Sequence, residues 1–132
     1  MSEANVETVK QAIDAFNRRD LGNWSEIARA DYTLFSPMFD VEGNSYRGRE
    51  GVETYFGEIR DAWEEYRLVA EEFRDLGDRV LVLGRLEGRG RGSGVQVEMP
   101  WGAIYGFRGG KVSRSHPYLD HGEALRASGL SE

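Results

Sequence analysis

The sequence predicts an α+β fold in which helices lie on the concave face of one strongly curved, mainly antiparallel sheet. Three observations predict it. Apolar residues recur at helical spacing through the first half of the 132 residues. Four β-rich runs, divided by short glycine-containing loops, fill most of the second half. The order helix, helix, strand, helix, then four strands joined as hairpins puts helices against one face of a sheet.

The first helix is expected over residues 3–18. Ser2 can cap its start, and Val6, Val9, Ile13 and Phe16 form one apolar stripe. Asp20 can cap a short second helix that buries Leu21, Trp24, Ile27 and Ala28. A strand follows over 32–36 and stops at Pro37. Residues 38–47 read as a loop with a short strand around 39–41. Gly48 precedes a third helix over 49–64, whose apolar face holds Val52, Tyr55, Phe56, Ile59 and Trp63. The four long strands are expected over 66–75, 79–89, 95–108 and 111–119. Asp120 and Glu123 stand at capping-box spacing before a last helix, with Gly129 past its end.

Period-two alternation assigns the faces of the third long strand. Val95, Val97, Met99, Trp101, Ala103, Tyr105 and Phe107 share one side and must meet the helices. In the strand before it, Arg85 and Glu87 share a face with Leu81, Leu83 and Arg89. In the last strand, His116, Tyr118 and Asp120 form one set, and Ser113, Ser115 and Pro117 the other.

Composition narrows the function. The chain holds no cysteine, which excludes disulfides, thiolate catalysis and cysteine-ligated metals. Its formal charge of −6 argues against a nucleic-acid partner. Gly88-Arg-Gly-Arg-Gly-Ser-Gly94 therefore reads as a hairpin loop rather than an RNA-binding segment. No apolar run reaches the ~18 residues of a membrane span and no leader pattern opens the chain, so a cytoplasmic single domain over 1–132, without a membrane partner, is expected. No metal or cofactor is expected, since Asp120, His116 and His121 supply too few ligands on uncertain faces. The acids and bases divide unevenly: residues 1–75 carry 17 acids and 9 bases, and 76–132 carry 6 and 8. Ten of the 17 glycines fall between Gly77 and Gly110, with Gly84, Gly102 and Gly106 inside strands, where a curved sheet bends.

Across residues 5–130 the chain resembles the SnoaL-like branch of the nuclear-transport-factor-two-like superfamily. The carrying residues are Ala15-Phe16-Asn17-x-x-Asp20, Ala30-Asp31-Tyr32, Tyr46-x-Gly48-x-x-Gly51-Val52 and Gly77-Asp78-Arg79-Val80. They continue with Phe107-x-x-Gly110-Lys111-Val112, Tyr118-x-Asp120 and Glu123-Ala124-Leu125. The resemblance implies a cone-shaped sheet enclosing a pocket, and a homodimer through the sheet's outer face. It is specific for fold and weak for function, because one scaffold hosts many activities.

Family chemistries fit unequally. The three roles of ketosteroid isomerase fall on Ser36, Ala12 and Ala103, none of which supplies the needed carboxylate or oxyanion donor. Arg85-Leu86-Glu87 falls on the Arg-x-Asp of limonene-type epoxide hydrolase, but the second acid falls on Pro117. The resemblance makes the Arg85/Glu87 face the pocket; the isomerase and hydrolase alignments put Ser115 inward, and the cyclase match at Asp120 belongs to the His116 set, so either face of the last strand stays open. Asp120 matches the acid of SnoaL-type cyclases, and is more simply a helix cap. The candidate acid–base residues are Arg85, Glu87 and His116. The candidate ligand contacts are Ser36, Trp63, Trp101, Tyr105 and Ser115. The expectation is an enzyme acting on a small apolar or polyketide-like molecule by acid/base chemistry, of isomerase, cyclase, dehydratase or hydrolase type. The alternative is a non-catalytic binder of a hydrophobic ligand, or a dimeric scaffold.

Overall fold

The computed structural model describes residues 2–35 and 45–130. Its elements are α1 (Ser2–Arg18), α2 (Leu21–Ile27), β1 (Ala28–Leu34), β2 (Tyr46–Arg47), α3 (Gly48–Ala62), β3 (Trp63–Asp75), β4 (Arg79–Gly90), β5 (Gln96–Arg108), β6 (Lys111–Tyr118) and α4 (His121–Ser128). The strands form one mixed sheet in the order β2-β1-β6-β5-β4-β3. The meander β3 to β6 is antiparallel, and β1 joins β6 in parallel. The α+β architecture, with α1, α2 and α3 on the concave face, is the predicted one.

Local chemistry sets the element ends. Asp20 caps α2 by accepting from the Asn23 N–H at 3.0 Å, and Asp120 caps α4 by accepting from the Gly122 N–H at 2.8 Å. Gly129 ends α4 in the left-handed conformation that glycine adopts without strain. Two expectations shift. The first strand starts at Ala28, directly after α2. Trp63 leaves α3 and opens β3 in an extended conformation, because pairing with Gly90 of β4 outweighs its helical spacing from Ile59. The expected short strand at 39–41 lies outside the described residues.

Curvature is local. β3 carries an irregularity between Ala70 and Glu72, opposite Gly84 of β4. A Cβ on Gly84 would stand 1.9 Å from the Val69 carbonyl oxygen, so the strands approach there as only glycine permits. A second irregularity lies between Gly106 and Phe107. Gly84 and Gly106 thus sit at bends, as the glycine pattern suggested.

The main core lies inside the curve, where Val9, Ile13, Phe16, Tyr32, Val52, Tyr55 and Ile59 meet Val80, Val82, Leu86, Trp101, Tyr105 and Val112. A smaller core lies outside it, where Leu81 and Leu83 are covered by Ala124 of α4. Among the described residues no helix is long and apolar enough to cross a membrane, and no cluster of His, Asp and Glu could hold a metal.

Candidate functional site: an inner cavity and an outer groove

Alternation along β5 and β6 places the cavity wall. Trp101, Ala103 and Tyr105 of β5 point into the curve, and their register partners Pro117 and Ser115 of β6 point the same way. With Phe16, Trp24, Leu34, Tyr55, Tyr66, Leu68 and Leu119 they line an inner cavity of about 40 Å³. Its wall is aromatic and aliphatic, relieved by hydroxyls. Tyr32 (1% exposed) and Ser115 (4% exposed) are hydrogen-bonded to each other beside it. The buried indole N–H of Trp24 has no hydrogen-bond partner among the described residues.

Burial sets the protonation of this wall. It raises the Tyr105 phenol above its ordinary range. It raises Tyr32 as well, opposed in part by the bond to Ser115, and Tyr66, reinforced by the neighbouring Tyr55. At neutral pH these phenols are donors and not bases. No carboxylate, imidazole or ammonium lines the cavity among the described residues.

A second, open space of about 870 Å³ lies outside, between the α1–α2 junction, α3 and the start of β3. Trp63 lines this groove rather than the inner cavity, with Phe56, Ile59, Arg19, Arg60, Arg67 and Arg91. Tyr66 borders both spaces. Two arginines finish the neighbouring helix ends. Arg19 donates to the carbonyls of Phe16 and Tyr66, and Arg91 to those of Arg60 and Trp63. Cations are favoured at such C-terminal ends, where carbonyls lack helical partners.

The other described candidates lie outside the inner cavity, Glu87 at the edge of the groove. Ser36 is outside the described residues. Arg85 and Glu87 do form a pair, at 2.8 Å, and Glu87 holds the guanidinium above its ordinary range. However, Arg85 pairs in register with Pro100 and Glu87 with Glu98, on the face opposite Trp101. The expectation that this face lines the pocket is therefore corrected. Leu81 and Leu83, whose apolarity suggested an interior, are buried under α4 on the outer side. Arg85 also meets Glu71 and Glu98, and the Arg85 and Glu87 side chains stay 34% and 38% exposed. His116 points outward too, stacked between Phe35 and Tyr118 with ring centroids 4.9 Å from each. Ser115 is the inward residue. His121 is spent on the fold, its Nε2 lying 2.7 Å from the Gly84 carbonyl oxygen and 3.1 Å from that of Trp101. Sequence reasoning passed over Arg19. A usable signal was an arginine standing between a helix end and the Asp20 cap, in a turn where glycine is the ordinary residue.

Comparison with known proteins fits this geometry. The SnoaL-like domain family matches residues 9–115, and the chain belongs to that family. A search of curated proteins finds no match. Among solved structures, the chain is similar to a nuclear-transport-factor-two-like protein of unknown function from Burkholderia pseudomallei. Identity is 24% over 93% of this chain and 95% of that one, with a TM-score of 0.79. It is similar to TerC co-crystallised with polyporic acid, at 21% identity over 96% and 98%, TM-score 0.78. It is also similar to a protein of ketosteroid isomerase-like fold from Catenulispora acidiphila in complex with trimethylamine, at 19% identity over 94% and 93%, TM-score 0.76. At these identities the likeness speaks for the fold.

Proposed function

We propose that this protein binds a small aromatic or polyketide-like molecule whose carbonyl or enol oxygen reaches the inner cavity, where neutral hydroxyl donors polarise it. One observation carries the reading: an aromatic wall includes the Tyr105 phenol and the buried, unpartnered indole N–H of Trp24. A buried donor without a partner costs about 1–3 kcal/mol, which a ligand oxygen would recover. Ser115 and Trp101 belong to the same wall. Arg85, Glu87 and His116 take no part in this reading, because they face away from the cavity. What remains of the expected acid/base chemistry is hydrogen-bond activation of an oxygen, the role neutral donors perform at developing oxyanions.

Chalcone, an aromatic ketone, tests this against stilbene, which lacks the oxygen. Chalcone should quench tryptophan fluorescence on binding, and Tyr105→Phe should weaken chalcone but not stilbene. Ala103→Leu, which fills the cavity, should abolish both while leaving the circular dichroism spectrum unchanged. Unaltered affinity in a folded Ala103→Leu protein would place the ligand elsewhere.

A homodimer through the outer sheet face belongs to the same proposal. Since α4 already covers Leu81 and Leu83 there, a second copy would meet the Arg85–Glu87 ladder and the Phe35–His116–Tyr118 stack. Light scattering should then give twice the 14.9 kDa chain mass.

A further inference from the structure

The two spaces at the site differ in size and share one lining residue, Tyr66. The inner cavity has about 40 Å³, room for little more than water. Sites for small organic ligands run ~300–1,000 Å³. The groove has about 870 Å³, and Tyr66 is the residue common to both linings. A ligand that reaches the inner cavity therefore extends past Tyr66 into the groove.

Arg19 stands beside that shared residue. Its guanidinium lies 4.8 Å from the Phe16 ring centroid and 5.7 Å from that of Tyr66. One terminal nitrogen donates to the Phe16 carbonyl and the other to the Tyr66 carbonyl, the latter at 2.7 Å. A guanidinium has five N–H donors, so most of its capacity is left over. It is half-buried, yet no carboxylate stands within ion-pairing distance of it among the described residues. Three of the groove's acids are engaged elsewhere: Glu87 with Arg85 and Arg67, Glu65 with Arg89 at 2.8 Å, and Glu64 with Arg89 at 4.0 Å. The fourth acid of the lining, Glu53, is exposed on α3 and pairs with no arginine among the described residues. Arg19 also stands at φ 54°, a left-handed conformation uncommon for any residue but glycine. A strained, half-buried cation without a counter-ion, beside an aromatic residue common to both spaces, is matched by an anion carried on an aromatic body.

We propose that the groove and the inner cavity form one site for an elongated aromatic carboxylate, with the acid on Arg19 and the ring passing Tyr66 into the cavity. This rests on the pocket reading above and names its ligand class. Arg19 acts as the specificity-determining residue, since a guanidinium binds carboxylate through paired N–H bonds.

Cinnamate and cinnamamide, equal in shape and different in charge, are the probes. Calorimetry at pH 7 should show cinnamate binding about tenfold or more tightly than cinnamamide to the full chain. Arg19→Gly, which fits the left-handed backbone, should remove that preference, so that the two probes bind the variant equally. Arg19→Lys should keep part of it, as a charge without the fork. In wild-type protein the ¹⁵N signal of the Arg19 Nε–H should move with cinnamate and not with cinnamamide, which decides the matter even where a variant fails to fold. Equal affinity of the two probes, or a preference that survives in Arg19→Gly, overturns the role of Arg19 while the pocket stands. Binding of neither probe overturns the pocket reading as well.

Discussion

Asn17 and Leu68 are joined by two hydrogen bonds. The Asn17 amide nitrogen donates to the Leu68 carbonyl at 2.9 Å, and the Leu68 N–H donates to the Asn17 side-chain oxygen at 2.9 Å. The carboxamide acts as a piece of backbone, pairing with an edge-strand residue that has β4 on its other side. It thereby pins the end of α1 on β3, next to Tyr66 and the groove. Asn17→Ala should lower stability by about 1–3 kcal/mol, because both backbone groups of Leu68 lose their partner. Asn17→Asp keeps the acceptor and loses the donor, so its loss should be as large, with a carboxylate now against a carbonyl. Urea denaturation of the two variants measures both.

The buried pair Tyr32–Ser115 joins β1 to β6 across the one parallel contact of the described sheet. Tyr32→Phe and Ser115→Ala should each cost about 1–3 kcal/mol, since each strands a buried hydroxyl or leaves a gap. The double variant should cost clearly less than the sum, because no orphan is left. A double-mutant cycle by thermal unfolding that gives strict additivity would show the bond to be energetically idle.

The two central strands β5 and β4 show what the sequence could and could not reveal. Along β5, apolar residues alternate with glycine, proline and charge, so Trp101, Ala103 and Tyr105 were assigned inward from period alone, and they are inward. Along β4, Val80, Leu81, Val82 and Leu83 are all buried, because α4 covers the outer face where the helices cover the inner one. Four apolar residues in a row carry no period, so the face of Arg85 and Glu87 could not be read from pattern, and the family resemblance put them on the wrong side. The caps at Asp20 and Asp120 were legible because capping is local. The groove was not, because it depends on Trp63 leaving the helix and on Arg19 turning left-handed, both set by contacts distant in sequence.

Asp20 carries a pH dependence of known sign. The Asn23 backbone N–H, with Arg18 assisting, holds its carboxyl below the usual range. A carboxyl depressed in the folded state lends stability that is present above the unfolded value of ~3.9 and is lost as pH falls through the lower folded value. Asp20→Asn preserves a capping oxygen and removes the charge. Its midpoint in urea should therefore fall less steeply than that of the wild type between about pH 5 and pH 2. Parallel curves would show the cap to be indifferent to ionisation.

Arg19 separates strain from bonding. Arg19→Ala removes the bonds to Phe16 and Tyr66 and keeps a side chain at φ 54°. Arg19→Gly removes the same bonds and the left-handed strain. Against this, glycine gains backbone entropy in the unfolded chain, of the order of 0.5–1 kcal/mol. The strain released, about 1–2 kcal/mol, exceeds that entropy. The glycine variant should thus be the more stable of the two, by up to about 1 kcal/mol, in matched urea titrations.

Glu87→Gln puts the face assignment itself to the test. Glu87 accepts from the Arg85 Nε at 2.8 Å and lies 3.9 Å from Arg67, on the outer side of the sheet. Arg85 retains Glu71 and Glu98 when Glu87 is neutralised. Because the cluster is partly solvated and shares its charges, the loss of stability should stay below about 1 kcal/mol. Chalcone affinity should change little, since Glu87 borders only the outer groove while Leu86 shares the inner face with Met99. A tenfold loss of chalcone binding in a fully folded Glu87→Gln protein would mean that the ligand is held at the Glu87 side of the groove and not in the inner cavity. The cavity beneath Tyr105 would then be only part of the hydrophobic core.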